Sequence, residues 1–143
     1  MYTVKFRKLN DAAQAPNRAH SDDAGWDLYS AEDYVLKAHC FGAVGTAISI
    51  ELPYGTEGQV RPRSGLAAKN GVTVLNAPGT IDAGYRGEVK VILINHSDVD
   101  FPITRGMRIA QLMVKPVYET EFIEAEELCE SDRGAGGFGS TGK

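Results

Sequence analysis

Asp82 stands between Ile81 and Ala83 in a stretch otherwise dense in turn residues, Asn76-Ala77-Pro78-Gly79-Thr80-Ile81-Asp82-Ala83-Gly84-Tyr85-Arg86-Gly87-Glu88. Its apolar neighbours predict a partly desolvated carboxylate, and such a group can serve as a general base. Asn76 carries an amide donor and an acceptor, which suits the edge of a pyrimidine, and Tyr85 offers a ring against which a sugar can lie. The plainer alternative is a long hairpin connection with Asp82 as a turn former. A second constellation, Arg61-Pro62-Arg63-Ser64-Gly65-Leu66-Ala67-Ala68-Lys69, ends a strand at two arginines and opens a short helix with Ser64 as its predicted cap. Guanidinium groups, free N–H groups and a helix dipole converge there, as in anion sites, although a solvated strand end with an ordinary cap would use the same residues.

Asp27 lies between Trp26 and Leu28 in Asp22-Asp23-Ala24-Gly25-Trp26-Asp27-Leu28-Tyr29-Ser30-Ala31. A carboxylate in such a setting needs a partner. A charged neighbour would serve, and so would a Mg²⁺ held through water, since that ion keeps several waters and few carboxylates. Gln111 sits among apolar residues in Arg105-Gly106-Met107-Arg108-Ile109-Ala110-Gln111-Leu112, and spacing leaves open whether it faces core or ligand. The last stretch, Arg133-Gly134-Ala135-Gly136-Gly137-Phe138-Gly139-Ser140-Thr141-Gly142-Lys143, holds five of the 16 glycines. Residues 137–142 fit GxGxxG and 137–143 fit most of GxxxxGK, but both motifs need a following helix and the sequence stops at Lys143. Two readings remain for this stretch. It is a disordered tail, or an arm whose glycine N–H groups, hydroxyls and Arg133 wrap phosphates while Phe138 stacks on a base.

The elements that must position these groups are mostly short strands. Tyr2–Leu9 alternates apolar and polar residues, and Val44–Leu52, Gly58–Arg63, Val72–Leu75, Glu88–Asn95 and Arg108–Val117 are rich in β-branched residues between turn formers. Val89–Ile94 is so apolar that both faces need cover, from the core or from a neighbouring subunit. One helix is expected, from Ser64 to Gly71, and Glu119–Glu130 fits a strand followed by a helical turn. The whole predicts an all-β jelly roll, sandwich or barrel with one short helix.

Composition agrees. The chain has 143 residues, 43% hydrophobic and 24% charged, which suits one globular domain. Sixteen glycines disfavour long helices. The net charge of −4 speaks against a duplex-DNA binder, so no nucleic-acid partner is expected. No apolar run reaches the ~18 residues of a membrane span, and Met1-Tyr2-Thr3-Val4-Lys5 lacks a secretory pattern. Cys40 and Cys129, far apart and in no CxxC, read as reduced thiols of a cytoplasmic protein.

In order and spacing, AGWDLYSA, RPRSGLAAK, NAPGTIDAGYRGE, RGMRIAQL and RGAGGFGSTG resemble the five motifs of the trimeric dUTPases (dUTP diphosphatases), from about residue 24 to residue 142. The resemblance implies a jelly-roll-like dUTPase fold (the β-clip), a β domain over residues 1–130 and a flexible glycine-rich arm over 131–143 acting as a lid. It implies a homotrimer with shared active sites, Mg²⁺ as cofactor, and hydrolysis of dUTP to dUMP and pyrophosphate, with no membrane partner. By position, Asp82 corresponds to the base that activates water, with Asp27, Ser64 and Arg133 as further catalytic groups. Asn76 and the backbone near Gly79 would read uracil, and Tyr85 would lie under the deoxyribose and exclude a 2′-hydroxyl. Arg63, Ser64, Gly65 and Gln111 would hold phosphates, and Asp27 would orient waters around Mg²⁺. Arg133 would reach the γ-phosphate, Phe138 would stack on uracil, and Gly139, Ser140 and Thr141 would wrap the phosphates.

Departures from the pattern are Trp26, where tyrosine is frequent, and Gly84, where an acidic residue is also seen. Two rivals share the fold. In dCTP deaminase, RSSLAR stands where this chain has RSGLAAK, and the catalytic glutamate aligns with Ile92. A non-catalytic, dUTPase-like regulatory module is the other, against which Asp82, Ser64 and Arg133 are all in place.

Overall fold

In the computed structural model, which describes residues 2–137 and Ser140, short antiparallel strands surround one apolar core. The strands are β1 (Lys5–Lys8), β2 (Trp26–Tyr29), β3 (Tyr34–Leu36), β4 (Phe41–Gly45), β5 (Ile48–Glu51), β6 (Thr56–Arg61), β7 (Val72–Val74), β8 (Gly79–Ile81), β9 (Lys90–Asn95), β10 (Phe101–Ile103) and β11 (Arg108–Pro116); α1 (Ser64–Asn70) is the single helix among the described residues. A four-stranded sheet runs β2-β11-β6-β8 and a three-stranded sheet runs β4-β9-β7. The pairs β1-β5 and β10-β3 complete the jelly-roll-like arrangement expected from the strand-rich sequence.

Alternation places the core. On β6, Thr56, Gly58 and Val60 point inward while Glu57, Gln59 and Arg61 do not. On β9, Val91, Leu93 and Asn95 are buried, and Asn95 is fully satisfied there. Its amide donates to the carbonyls of Leu36 (3.1 Å) and Val99 (2.8 Å) and accepts from the N–H of Ser97 (2.9 Å). The other face of β9 is covered only in part. Ile92 and Ile94 are half-buried and pair with exposed Ala43 and Phe41 on β4.

Several expectations need correction. The apolar run 44–52 is two strands, because Ala47 takes a left-handed φ of 53° and turns β4 into β5. Residues 119–130 form neither strand nor helix. They leave the body after Val117, whose N–H donates to the Gly55 carbonyl, and they carry Phe122, Ile123 and Leu128 exposed. Strands β2, β3, β8 and β10, each of three or four residues, were not expected as strands. Ser64 does not cap α1. Arg63 occupies the N-cap position in extended conformation with no side-chain cap bond, and Ser64 is the first helical residue. Gly71 ends the helix as expected, at φ 65° with its N–H on the Ala67 carbonyl.

Candidate active site

Three neighbouring strands bring one cluster together. Gln111 on β11 lies opposite Asp27 on β2 and Arg61 on β6, so the three side chains form a polar row across one face of the sheet. A register shift on β11 between Arg108 and Ala110 allows both Ile109 and Ala110 to be buried while Arg108 stays at the surface beside Asp27. Asp27 meets Arg63 through Oδ1 (3.2 Å to Nε) and Arg108 through Oδ2 (3.1 Å to Nη1). Its partner is therefore a pair of guanidinium groups. Arg63 also donates to the backbone carbonyl of Arg108 (3.2 Å), and the Gln111 amide donates to the Pro62 carbonyl (2.9 Å), which ties β11 to the start of α1.

Asp27, Arg63, Arg108 and Gln111 line an open pocket of about 320 Å³ with Ser64, Gly65, Gly25, Ala24 and Asp23. The helix contributes backbone. The first intrahelical acceptor, the Arg63 carbonyl, takes the N–H groups of Leu66 and Ala67, so those of Ser64 and Gly65 precede the ladder. Arg63 and Arg108 bring two positive charges to the pocket, balanced by the carboxylates of Asp27 and Asp23. Gln111, whose direction the sequence left open, thus faces the pocket.

A second group is carried by the β7–β9 connection. That connection is more than a hairpin loop, because β8 within it crosses to the other sheet and pairs with β6, Gly79 opposite Val60. Asn76 folds back over Gly79. A β-carbon at Gly79 would meet the Asn76 amide nitrogen at 3.2 Å. Asp82 follows β8 in a turn whose carbonyl accepts the Tyr85 N–H (3.0 Å). Contrary to expectation, Asp82 is exposed rather than desolvated. Its apolar neighbours do not cover it: Ile81, the last residue of β8, is buried in the core, and Ala83 is half-buried in the turn that follows. Tyr85 is 46% exposed, and its hydroxyl donates to the Glu88 carbonyl (3.0 Å).

The third group stays apart. Arg133 turns back on its own segment and donates from Nε to the Gly136 carbonyl (2.8 Å), and the Ser140 N–H donates to the Gly137 carbonyl (3.0 Å). Phe138, Gly139 and Thr141 lie outside the described residues. The pocket lining includes none of Asn76, Gly79, Asp82, Tyr85 and Arg133. One chain therefore assembles the Asp27–Arg63–Ser64–Gly65–Gln111 group and leaves the other two groups outside that pocket.

The sequence profile of the dUTPase family matches residues 11–142. The chain belongs to the dUTPase family. Among relatives of this dUTPase, the deoxyuridine 5′-triphosphate nucleotidohydrolase of Clostridioides difficile is 58% identical over 99% of both chains, and that of Clostridium tetani is 56% identical over 99% of this chain and 98% of its own. The expected enzyme class, dUTP diphosphatase, is thereby met. A Staphylococcus bacteriophage 80alpha dUTPase, G164S mutant, with dUpNHpp superposes with a TM-score of 0.91 at 30% identity over 99% of both chains. The D95N dUTPase of phage phi11, described with a structural Mg(II) ion, reaches 0.80 at 28% identity over 87% of this chain and 97% of its own.

Sequence reasoning missed three contributors. Arg108 was visible in RGMRIAQL as a charge beside Gln111, but its link to Asp27 depends on the β11 register shift. Gly25 leaves no room for a side chain beside Gln111. Arg18 lies over the Trp26 ring (4.7 Å) and donates to the Asp23 carbonyl (3.1 Å), which pins the loop bearing Asp23 and Ala24 at the pocket rim.

For Mg²⁺, the described residues contain no group of three or more His, Cys, Asp or Glu arranged to hold a metal. Both Asp27 oxygens already face guanidinium groups. The residues fit an ion carried by a polyanionic ligand and touched by Asp27 through water, and they do not fit a protein-built cage.

Proposed function

We propose that this dUTPase converts dUTP to dUMP and pyrophosphate by in-line attack of a water on the α-phosphorus, with Asp82 as base. The observation that carries the reading is the pocket where Arg63, Arg108, Gln111 and the backbone of Ser64 and Gly65 converge as donors, a site for a phosphate chain. Asn76, folded against Gly79, presents donor and acceptor to uracil. Tyr85 supplies the face under the deoxyribose. Asp82 has no side-chain partner among the described residues, so its oxygens are free to hold a water and accept its proton as the α-phosphorus is attacked. Charge gathers on the phosphoryl oxygens in the transition state and on pyrophosphate as it leaves, where Arg63, Arg108, Ser64 and Gln111, with Arg133 and Ser140 from the arm, offset it. Mg²⁺ bound to the triphosphate would further withdraw that charge, with Asp27 orienting its waters.

A homotrimer would account for what one chain leaves bare. The face of Phe41, Ala43, Ile92 and Ile94 and the exposed Phe122, Ile123 and Leu128 are apolar surface that a neighbouring subunit would cover. The three site groups, separate in one chain, would then meet between subunits, with the glycine-rich arm over 131–143 closing as a lid. Removing dUTP limits uracil incorporation into DNA, and dUMP serves synthesis of dTMP. Both cysteines are free and exposed, which suits a reducing compartment, and we place the enzyme in the cytoplasm. The deaminase reading lacks its acid, because Ile92 has no proton to relay.

The test is incubation with dUTP and Mg²⁺ in ¹⁸O-water. Label in dUMP with unlabelled pyrophosphate supports attack at the α-phosphorus. Label in pyrophosphate, or ammonia released from dCTP, overturns the reading.

A further inference from the structure

The Tyr85 ring is held by its own turn. Its hydroxyl donates to the Glu88 carbonyl, and its edge lies directly on the α-carbon of Gly87. A β-carbon built on Gly87 would stand 2.5 Å from Cζ and 2.9 Å from Cε2 of Tyr85, and closer still to the hydroxyl oxygen. Carbon atoms in contact sit about 3.5–4.0 Å apart, so any side chain at this position displaces the ring by roughly 1 Å. Gly87 has no left-handed φ, so the position needs the missing side chain and not the backbone freedom of glycine. By contrast, a β-carbon at neighbouring Gly84 meets nothing within 4 Å.

The acceptor under the hydroxyl is itself fixed. The Glu88 carboxylate accepts the N–H of Ala47 (2.9 Å) at the β4–β5 turn, and the next residue, Val89, donates its N–H to the Ile48 carbonyl (2.8 Å). Within the turn, Arg86 donates to the backbone carbonyls of Ala83 (2.7 Å) and Tyr85 (2.9 Å) and so ties the backbone that carries the ring. A half-exposed tyrosine would ordinarily sample several rotamers, but this one is tied at its hydroxyl to a fixed carbonyl.

We propose that Gly87 is a positioning residue that sets deoxyribose against ribose discrimination, by seating the Tyr85 ring at the height where a 2′-hydroxyl no longer fits. The inference rests on the reading of Tyr85 as the sugar platform. A shift of about 1 Å in a positioning group can cost on the order of a hundredfold, and here the cost would fall unequally on the two sugars.

The experiment measures kcat/KM for dUTP and for UTP, with melting temperature, in the full-length wild type, Gly87→Ala, Tyr85→Ala and the Tyr85→Ala/Gly87→Ala double variant. Gly87→Ala is expected to narrow the dUTP:UTP ratio about tenfold, with a melting temperature close to wild type because the turn is exposed. In the Tyr85→Ala background the same change should leave the ratio where Tyr85→Ala alone puts it. A Gly87→Ala enzyme that slows on both substrates equally, or changes the ratio without Tyr85 present, overturns the seat. Tyr85→Ala with an unchanged ratio overturns the sugar platform itself, and the proposal with it.

Discussion

Replacing Gly25 by alanine adds a methyl group where Gln111 already lies. The new carbon would stand 3.1 Å from Cβ and 3.2 Å from Cδ of Gln111 and would overlap its Oε1. The Gln111 side chain must leave its rotamer, and its bond to the Pro62 carbonyl (2.9 Å) goes with it. Losing that bond costs about 1 kcal/mol. Forcing a methyl group into a packed contact costs about 1–3 kcal/mol more. The total, about 2–4 kcal/mol, corresponds to a fall in melting temperature of about 6–12 °C for a chain of this size. Gln111→Ala removes the obstacle and loses only the bond, about 1 kcal/mol or about 3 °C.

The double variant Gly25→Ala/Gln111→Ala should then melt close to Gln111→Ala alone, a coupling of about 2–4 kcal/mol. Steady-state kinetics on dUTP should follow the same pattern. Gly25→Ala loses kcat/KM at least as severely as Gln111→Ala, and the two together lose little beyond either. The melts must be run at one protein concentration, since an assembling protein gains stability by mass action. Additivity within about 0.5 kcal/mol would refute the steric account and leave Gly25 without a role in placing Gln111.

Asp82→Asn should lower turnover by orders of magnitude while a non-hydrolysable dUTP analogue binds nearly as before in calorimetry, since the amide cannot accept the proton; near-normal turnover removes Asp82 as the base. Ending the chain after Asp132 should abolish most turnover and shift the melting temperature by only a few degrees, because residues 131–137 bond chiefly among themselves; a large stability loss, read by thermal melt, would make the arm structural. The Lys37 ammonium bonded to Asp100 (2.7 Å), and next the Ala38 N–H, hold the Asp100 carboxyl below its ordinary value of 3.8. As pH falls the unfolded chain takes up this proton first, so the pair's stabilisation is present at neutral pH and is lost through the folded-state value. The melting-temperature gap between wild type and Asp100→Asn should accordingly close in acid, and a gap that stays constant contradicts the assignment.

How far the sequence could be read depended on the range of the interaction concerned. Six strand segments were legible because alternation or β-branched composition between turn formers is a local signal. Strands β2, β3, β8 and β10 are too short to carry a period, and β8 lies inside a turn-rich stretch where composition argues against it. The break at Ala47 was hidden because nothing in Val44–Leu52 marks a residue with positive φ. Ser64 fails as a cap for a comparable reason. Its type favours that position, but Arg63 is the last extended residue and the helix begins at Ser64 itself, one residue earlier than a capping serine would require. Residues 119–130 mix acidic and apolar side chains in no stable period, and beyond the Tyr54 hydroxyl bonded to Glu119 (3.2 Å) they stay exposed, with no packed face to select a conformation.

Asp27 shows what the fold adds to a correctly chosen residue. Spacing called for a partner and left open a cation or a metal held through water. Two guanidinium groups now occupy both its oxygens, one from the β6–α1 junction and one from β11, and the same two strands meet again through Gln111 and Pro62. Two arginines this close would repel each other in the absence of a counter-charge, and a carboxylate with only 17% of its side chain exposed would be costly without them. Each sign therefore requires the other, and the donors stay directed at the pocket before any phosphate arrives. A triphosphate entering the pocket meets donors already gathered, on flexible side chains able to turn from Asp27 toward the ligand. Preorganisation of this kind lowers the ordering cost at the moment of binding, and it is invisible in sequence because Asp27, Arg63 and Arg108 become neighbours only through strand register.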